Sequence, residues 1–166
     1  DKEYAEQRQL AMREQLDAES GKLVERKRPP MPKVMSIESM REYAVALIAD
    51  GDVEGGEEAL RKLLTIDPED VPTLFTLGEI MQDMQNKIPE AQNFFQRAVD
   101  SQPDHVPSLK KLAWLHSQRR FDTNEYGAFD QNLQKKRDED AEKCYRQALD
   151  AAPDDPDVLT GLGSFL

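Results

Sequence analysis

Residues 71–103 of this chain read VPTLFTLGEIMQDMQNKIPEAQNFFQRAVDSQP, and this stretch decides the fold. Within it Leu74, Leu77, Gly78 and Met81 follow one another at intervals of three, one and three. Ala91, Phe95 and Ala98 follow at intervals of four and three, and Pro103 stands five places further on. Intervals of three and four place side chains on one face of an α-helix. Gly78 leaves room for a second helix to approach the first closely, and a proline stops the second helix where it stands. The stretch therefore predicts helix, turn, helix.

Both groups recur on either side. The first appears as Met40, Tyr43, Ala44 and Leu47, then as Leu109, Leu112, Ala113 and His116, and finally as Leu159, Leu162, Gly163 and Leu166. The second appears as Gly56, Leu60 and Leu63 before Pro68, and as Ala141, Tyr145 and Ala148 before Pro153. Pro72, Pro107 and Pro156 fall where the first helices open, a position at which the missing N–H costs nothing. Asp50-Gly51-Asp52 makes a good turn inside the first unit. The prediction is an all-α chain with three complete helix pairs and the first helix of a fourth.

This pattern resembles the tetratricopeptide repeat, whose signature is Trp-x2-Leu-Gly-x2-Tyr, Ala-x3-Phe and Pro over 34 residues. The resemblance spans about 130 of the 166 residues and implies a right-handed α-solenoid. The repeats are expected at about 37–70, 71–105 and 106–155, with a further first helix at 156–166. Three departures stand out. Gly56 replaces the usual Ala and is expected to loosen its helix slightly. Pro68 and Pro103 lie 35 residues apart, one more than standard, and Pro103 and Pro153 lie 50 apart. The extra 16 residues are expected as an insertion around Arg120 to Lys136, carrying Phe121, Tyr126, Phe129 and Leu133. The last three of these are at helical spacing, so they either extend the following helix or form a projecting binding element.

Ahead of the array, residues 1–28 have the composition of a helical arm, rich in Glu, Gln, Arg, Lys, Ala and Leu. Tyr4, Met12, Leu16 and Leu23 form only a thin apolar stripe, without the sustained heptads of a coiled coil. Pro29, Pro30 and Pro32 make residues 29–36 an extended linker. Arg26-Lys27-Arg28 is too short to distinguish a nuclear signal from chance. The chain starts at Asp1 rather than Met, and it ends on the apolar Leu162-Gly163-Ser164-Phe165-Leu166 where a polar cap is usual in such arrays. Both features make a longer parent chain the expectation.

The formal charge of -11 resides in the array, because residues 1–36 hold eight Lys/Arg against seven Asp/Glu. An acidic body repels phosphate backbones, so nucleic acid is not an expected partner. Basic partners are mildly favoured. No apolar run approaches the roughly 20 residues of a membrane span. The lone Cys144 and the absence of Asn-x-Ser/Thr acceptors fit a reducing intracellular compartment, the cytoplasm first and the nucleus second.

Catalytic chemistry has little to work with. There is no phosphate loop, no Gly-x-Gly-x-x-Gly and no nucleophile elbow. His105 falls in a turn between repeats, His116 occupies the position the family gives to Tyr, and Cys144 is read as an ordinary helix residue. Together they do not make a zinc site, and Asp138-Glu139-Asp140 suits a solvated helix start. No enzyme activity, metal or cofactor is expected.

The resemblance implies that successive first helices line a concave groove that holds other proteins. The groove positions lie one, five and eight places after the first apolar anchor, about 100° round from the packed face. They are Arg41, Val45 and Ile48, then Phe75, Glu79 and Gln82, then Lys110, Trp114 and Ser117. Phe75 and Trp114 are the expected aromatic anchors for a peptide or helix, unless the arm or the insertion covers them. Family members that clamp a C-terminal carboxylate use Lys, Asn, Asn, Lys and Arg at positions matching Arg41, Val45, Thr76, Pro107 and Lys111. Both Asn are missing, so no such clamp is expected. The function expected is a scaffold or adaptor within a larger protein complex, and the alternative is the substrate-recruiting module of a longer enzyme or co-chaperone.

Overall fold

The structure is a computed structural model that describes residues 36–118 and 130–164. These belong to one compact unit that starts at Val34. Their α-helices are α1 (Ile37–Ala49), α2 (Val53–Ile66), α3 (Val71–Asp83), α4 (Ile88–Ser101), α5 (Val106–Ser117), α6 (Gln131–Ala151) and α7 (Pro156–Gly163). A single 3₁₀ turn, Gln85–Lys87, precedes α4, and no strand occurs among the described residues. The arm, all of the linker but Ser36, and insertion residues 119–129 with Phe121, Tyr126 and Phe129 lie outside the described residues. The rest of the expected insertion, 130–136, is helix N-cap and first turns, because Asp130 caps α6 by accepting from the Asn132 and Leu133 amides.

Helix starts follow from caps. Ser36, Asp52, Asp70 and Asp155 each accept a backbone amide of the first turn of α1, α2, α3 and α7, meeting donors that a helix end leaves orphaned. The three turns between repeats are built alike. Asp67, Gln102 and Ala152 close the preceding helix onto Leu63, Ala98 and Ala148. The carbonyls of the same three residues then accept from Asp70, His105 and Asp155 at 3.4, 3.1 and 3.3 Å. Pro68, Pro103 and Pro153 sit at the second place of these turns, which their fixed φ suits. Inside the first unit the chain reverses at Gly51, whose φ of 89° is a conformation that favours glycine.

The helices pack as pairs, α1 on α2, α3 on α4 and α5 on α6, and each pair stacks on the next through α2–α3, α4–α5 and α6–α7 contacts. Most of the repeated positions are core, although Leu159 of the fourth set is 50% exposed. Leu60, Leu63, Leu74, Leu77, Met81, Ala91, Phe95, Ala98, Leu109, Ala113 and Ala148 have no exposed surface. Gly78 lies under the Phe95 ring, where a Cβ would come within 2.5 Å of ring carbon. Gly56 is likewise a packing requirement more than a loosening, since a Cβ there would press on Ile48 and stand 3.0 Å from the Ala44 carbonyl of α1. A second recurring device joins the pairs: Arg97 and Gln147, each six residues before its repeat's last proline, donate to the carbonyls of Pro68 and Pro103, both at 2.8 Å. The result is an α-solenoid of helical repeats.

Candidate partner-binding face

The nine positions expected to line the groove divide by their offset along the first helices. Those one place after the anchor, Arg41, Phe75 and Lys110, all reach the residue that begins the next first helix. Arg41 donates to Asp70 at 2.6 Å. The Phe75 ring meets the His105 ring edge-on at 5.6 Å and also touches Phe95 at 5.7 Å. Lys110 donates to Asp155 at 3.1 Å and to Asp157 at 2.6 Å. Asp70, His105 and Asp155 are the N-cap residues of α3, α5 and α7. Phe75 is thus half-buried and packed on the core instead of standing open.

The carboxyls at these junctions are tuned by their partners. Partial burial raises Asp70, but hydrogen bonds from Thr73 and Arg41 outweigh it and hold the group below its ordinary value. The Val158 amide, and then Lys110, hold Asp155 below the ordinary carboxylate range. Lys110 is raised by its bond to Asp157.

Five places after the anchor, Val45 is 49% exposed and Trp114 40% exposed. Glu79, between them, pairs with Lys111 of α5 at 3.0 Å. Eight places after the anchor, Ile48 lies half-buried against Gly56, and Ser117 donates to the Trp114 carbonyl of its own helix. Gln82 is half-buried, and its Oε1 is shielded from water with no hydrogen-bond partner.

Three of the nine converge. Gln82, Lys110 and Trp114 line a pocket of about 300 Å³ together with Lys111, Tyr145 and Asp157. Four elements, α3, α5, α6 and α7, contribute to it. The last three residues were not anticipated. Lys111 lies two places after its anchor Leu109 and Asp157 two places before its anchor Leu159, so the repeat pattern carries no shared signal for them. Tyr145 was assigned to the packed set, and it is 8% exposed with its ring against Gly161 of α7.

A second hollow, of about 430 Å³, lies between α4, α5 and α6 and includes His116 and Cys144. Burial pushes the Cys144 thiol up to about 11 and lowers His116, whose ring lies 3.3 Å from the Gln92 amide. The raised thiol leaves Cys144 without a poised nucleophile near neutrality. Among the described residues no three His, Cys, Asp or Glu side chains are grouped to hold a metal ion, and no helix is long and apolar enough to cross a membrane.

Paired helices in register, each pair stacked on the next, define the class: a helical-repeat module. One tetratricopeptide repeat family model matches residues 47–115 and another matches 132–155. The chain belongs to the tetratricopeptide repeat family. Among solved structures, it is similar to the first such domain of Spaghetti (RPAP3) bound to the HSP90 peptide SRMEEVD, with TM-score 0.58 and 14% identity over 78% of this chain and 91% of that one. It is also similar to the Yersinia enterocolitica type III secretion chaperone SycD in complex with a peptide of the translocator YopD, with TM-score 0.58 and 16% identity over 81% and 96%. A third, a thermophilic repeat protein of the same family from Thermus thermophilus, has TM-score 0.60 and 16% identity over 78% and 64%. At these identities the likeness establishes the fold. No curated protein gives a match.

Proposed function

We propose that this chain is a protein-interaction module that holds a peptide or helix of a partner protein on its first-helix face, centred on the Trp114 pocket. The observation that carries the reading is the convergence of Gln82, Lys110 and Trp114 around one opening, with the indole 40% exposed beside it. Exposed aromatics beside a pocket are typical binding anchors. Two structures of the same fold hold peptides of other proteins, an HSP90 peptide and a YopD peptide. Val45, on the same helical offset in α1, is a further exposed apolar side chain on the first helices. In this reading the chain acts as an adaptor inside a larger assembly and performs no catalysis of its own.

The test is selection of peptides from a random phage library against the whole chain, followed by affinity measurement on Trp114→Ala. Trp114 lies outside the buried core, so the variant should melt with the parent. Binding should weaken by about 2–4 kcal/mol, the range for an aromatic hot spot. Selected peptides that bind Trp114→Ala as tightly as the parent would place the binding surface elsewhere.

A further inference from the structure

Resting on that reading of the face, we infer that the Trp114 pocket receives an arginine side chain from a basic partner segment. The first argument is what the face already spends on itself. Its cations are each bonded to a carboxylate of an adjoining element: Arg41 to Asp70 at 2.6 Å, Lys111 to Glu79 at 3.0 Å, and Lys110 to Asp155 and Asp157 at 3.1 and 2.6 Å. An acidic peptide would have to compete with carboxylates already in place for each of these cations, so it would gain only the difference between its own pairing and theirs.

The second argument is charge complementarity. The charged residues of the lining are Lys110, Lys111 and Asp157, and both lysines are already paired, with Glu79, Asp155 and Asp157. Asp157 is 76% exposed and can accept from a second donor while keeping Lys110. Beyond the pocket, residues 37–166 carry the whole negative charge of the chain, 14 Lys/Arg against 26 Asp/Glu. Such a field draws in basic segments and slows acidic ones.

The third argument is the chemistry of the lining. Gln82 adds a side-chain amide to the lining beside the Trp114 indole. A guanidinium offers donors only, in a planar fork that also stacks on an aromatic face. Trp is the best ring for such a cation. The chain uses the same packing elsewhere, where Arg61 and Arg97 lie 5.6 and 5.9 Å from the Phe94 ring centre. A volume of about 300 Å³ has room for one long side chain, not for a helix.

Trp114 is the sole tryptophan of the chain, so its indole N–H resonance reports the pocket directly. The probes are three capped heptapeptides, Gly-Ser-Leu-X-Leu-Ser-Gly, with X as Arg, Lys or Glu, titrated to millimolar concentration into the full chain. The Arg peptide is expected to shift the indole resonance saturably, about tenfold more tightly than Lys, with no shift from Glu. Gln82→Glu should tighten the Arg peptide several-fold, and Gln82→Met should weaken it. Silence from the Arg peptide at the indole, or equal binding of it to Trp114→Ala, overturns the inference. A Glu peptide that binds at Trp114 better than Arg also overturns it, while leaving the face as a peptide site. If phage-selected peptides bind without moving the indole at all, the face itself is wrong.

Discussion

Two glycines at equivalent positions meet opposite surroundings, and single side chains can be judged by that contrast. Gly78 faces the Phe95 ring with no room for a methyl group, whereas Gly163, its counterpart in α7, has open space around its missing Cβ. Gly78→Ala gains about 1 kcal/mol of helix propensity but must displace a fully buried ring, and overpacking costs about 1–3 kcal/mol. A net loss of stability is expected there. Gly163→Ala should be neutral or stabilising by up to about 1 kcal/mol. Urea melts of the two variants check this, and equal effects would show that the surroundings of the two glycines do not set their tolerance. Cys144 gives a second residue-scale prediction. With its thiol raised from 9.0 to about 11, the reactive thiolate is about 100-fold scarcer than in a free cysteine. Native protein should resist iodoacetamide at neutral pH and label readily once unfolded.

Helix pairs are joined by contacts of unequal worth. Arg41–Asp70 and Phe75–His105 occupy the same place in successive junctions, so substituting either tests one design with two chemistries. Arg41→Ala removes a partly exposed ion pair and should cost about 1 kcal/mol or less. Phe75→Ala removes ring contacts with both Phe95 and His105 and should cost about 2–3 kcal/mol, below the range for a wholly buried Phe. Thermal melts of both variants give the order. A Phe75→Ala protein as stable as its parent would return Phe75 to the role of open anchor.

Across the whole array, stability should respond to mild acid through its histidines. Burial lowers His105 against the opposing pull of Asp104, and burial lowers His116 while Asp140 opposes and Arg137 assists. Both rings therefore stay neutral in the fold at pH values where the unfolded chain binds protons. Their contribution is complete above the ordinary value of 6.5 and is lost as pH falls below it toward the lowered folded values. Denaturant midpoints at about pH 7.5 and about pH 5.5 should show the loss. The His105→Asn/His116→Gln double variant should show a smaller one, and comparison with it cancels the general effect of neutralising an acidic chain. Identical pH slopes for parent and variant would mean that the imidazoles titrate normally.

Periodicity and prolines made helices α1 to α7 legible in the sequence, and most of the buried positions of α1 to α6, although in α7 the expected anchor Leu159 is 50% exposed and Val158 is buried in its place. The legible features depend on interactions within a few residues or on burial of one stripe. The small positions Ala44, Gly78 and Ala113 were legible for the same reason. What lies across from a stripe was not. Helical spacing places Arg41, Phe75 and Lys110 correctly around their own axes, but it does not say that the next N-cap stands opposite them. That neighbour is 29 residues away for Arg41 and 45 for Lys110, and only the stacking of repeats brings the two to one geometry. The same stacking consumes Phe75 and leaves Trp114 open. It also adds Lys111, Tyr145 and Asp157 to a pocket that no single helix contains. Local chemistry therefore determined which elements form and which faces they bury, while the choice of which exposed positions remain free to bind was made by tertiary contact.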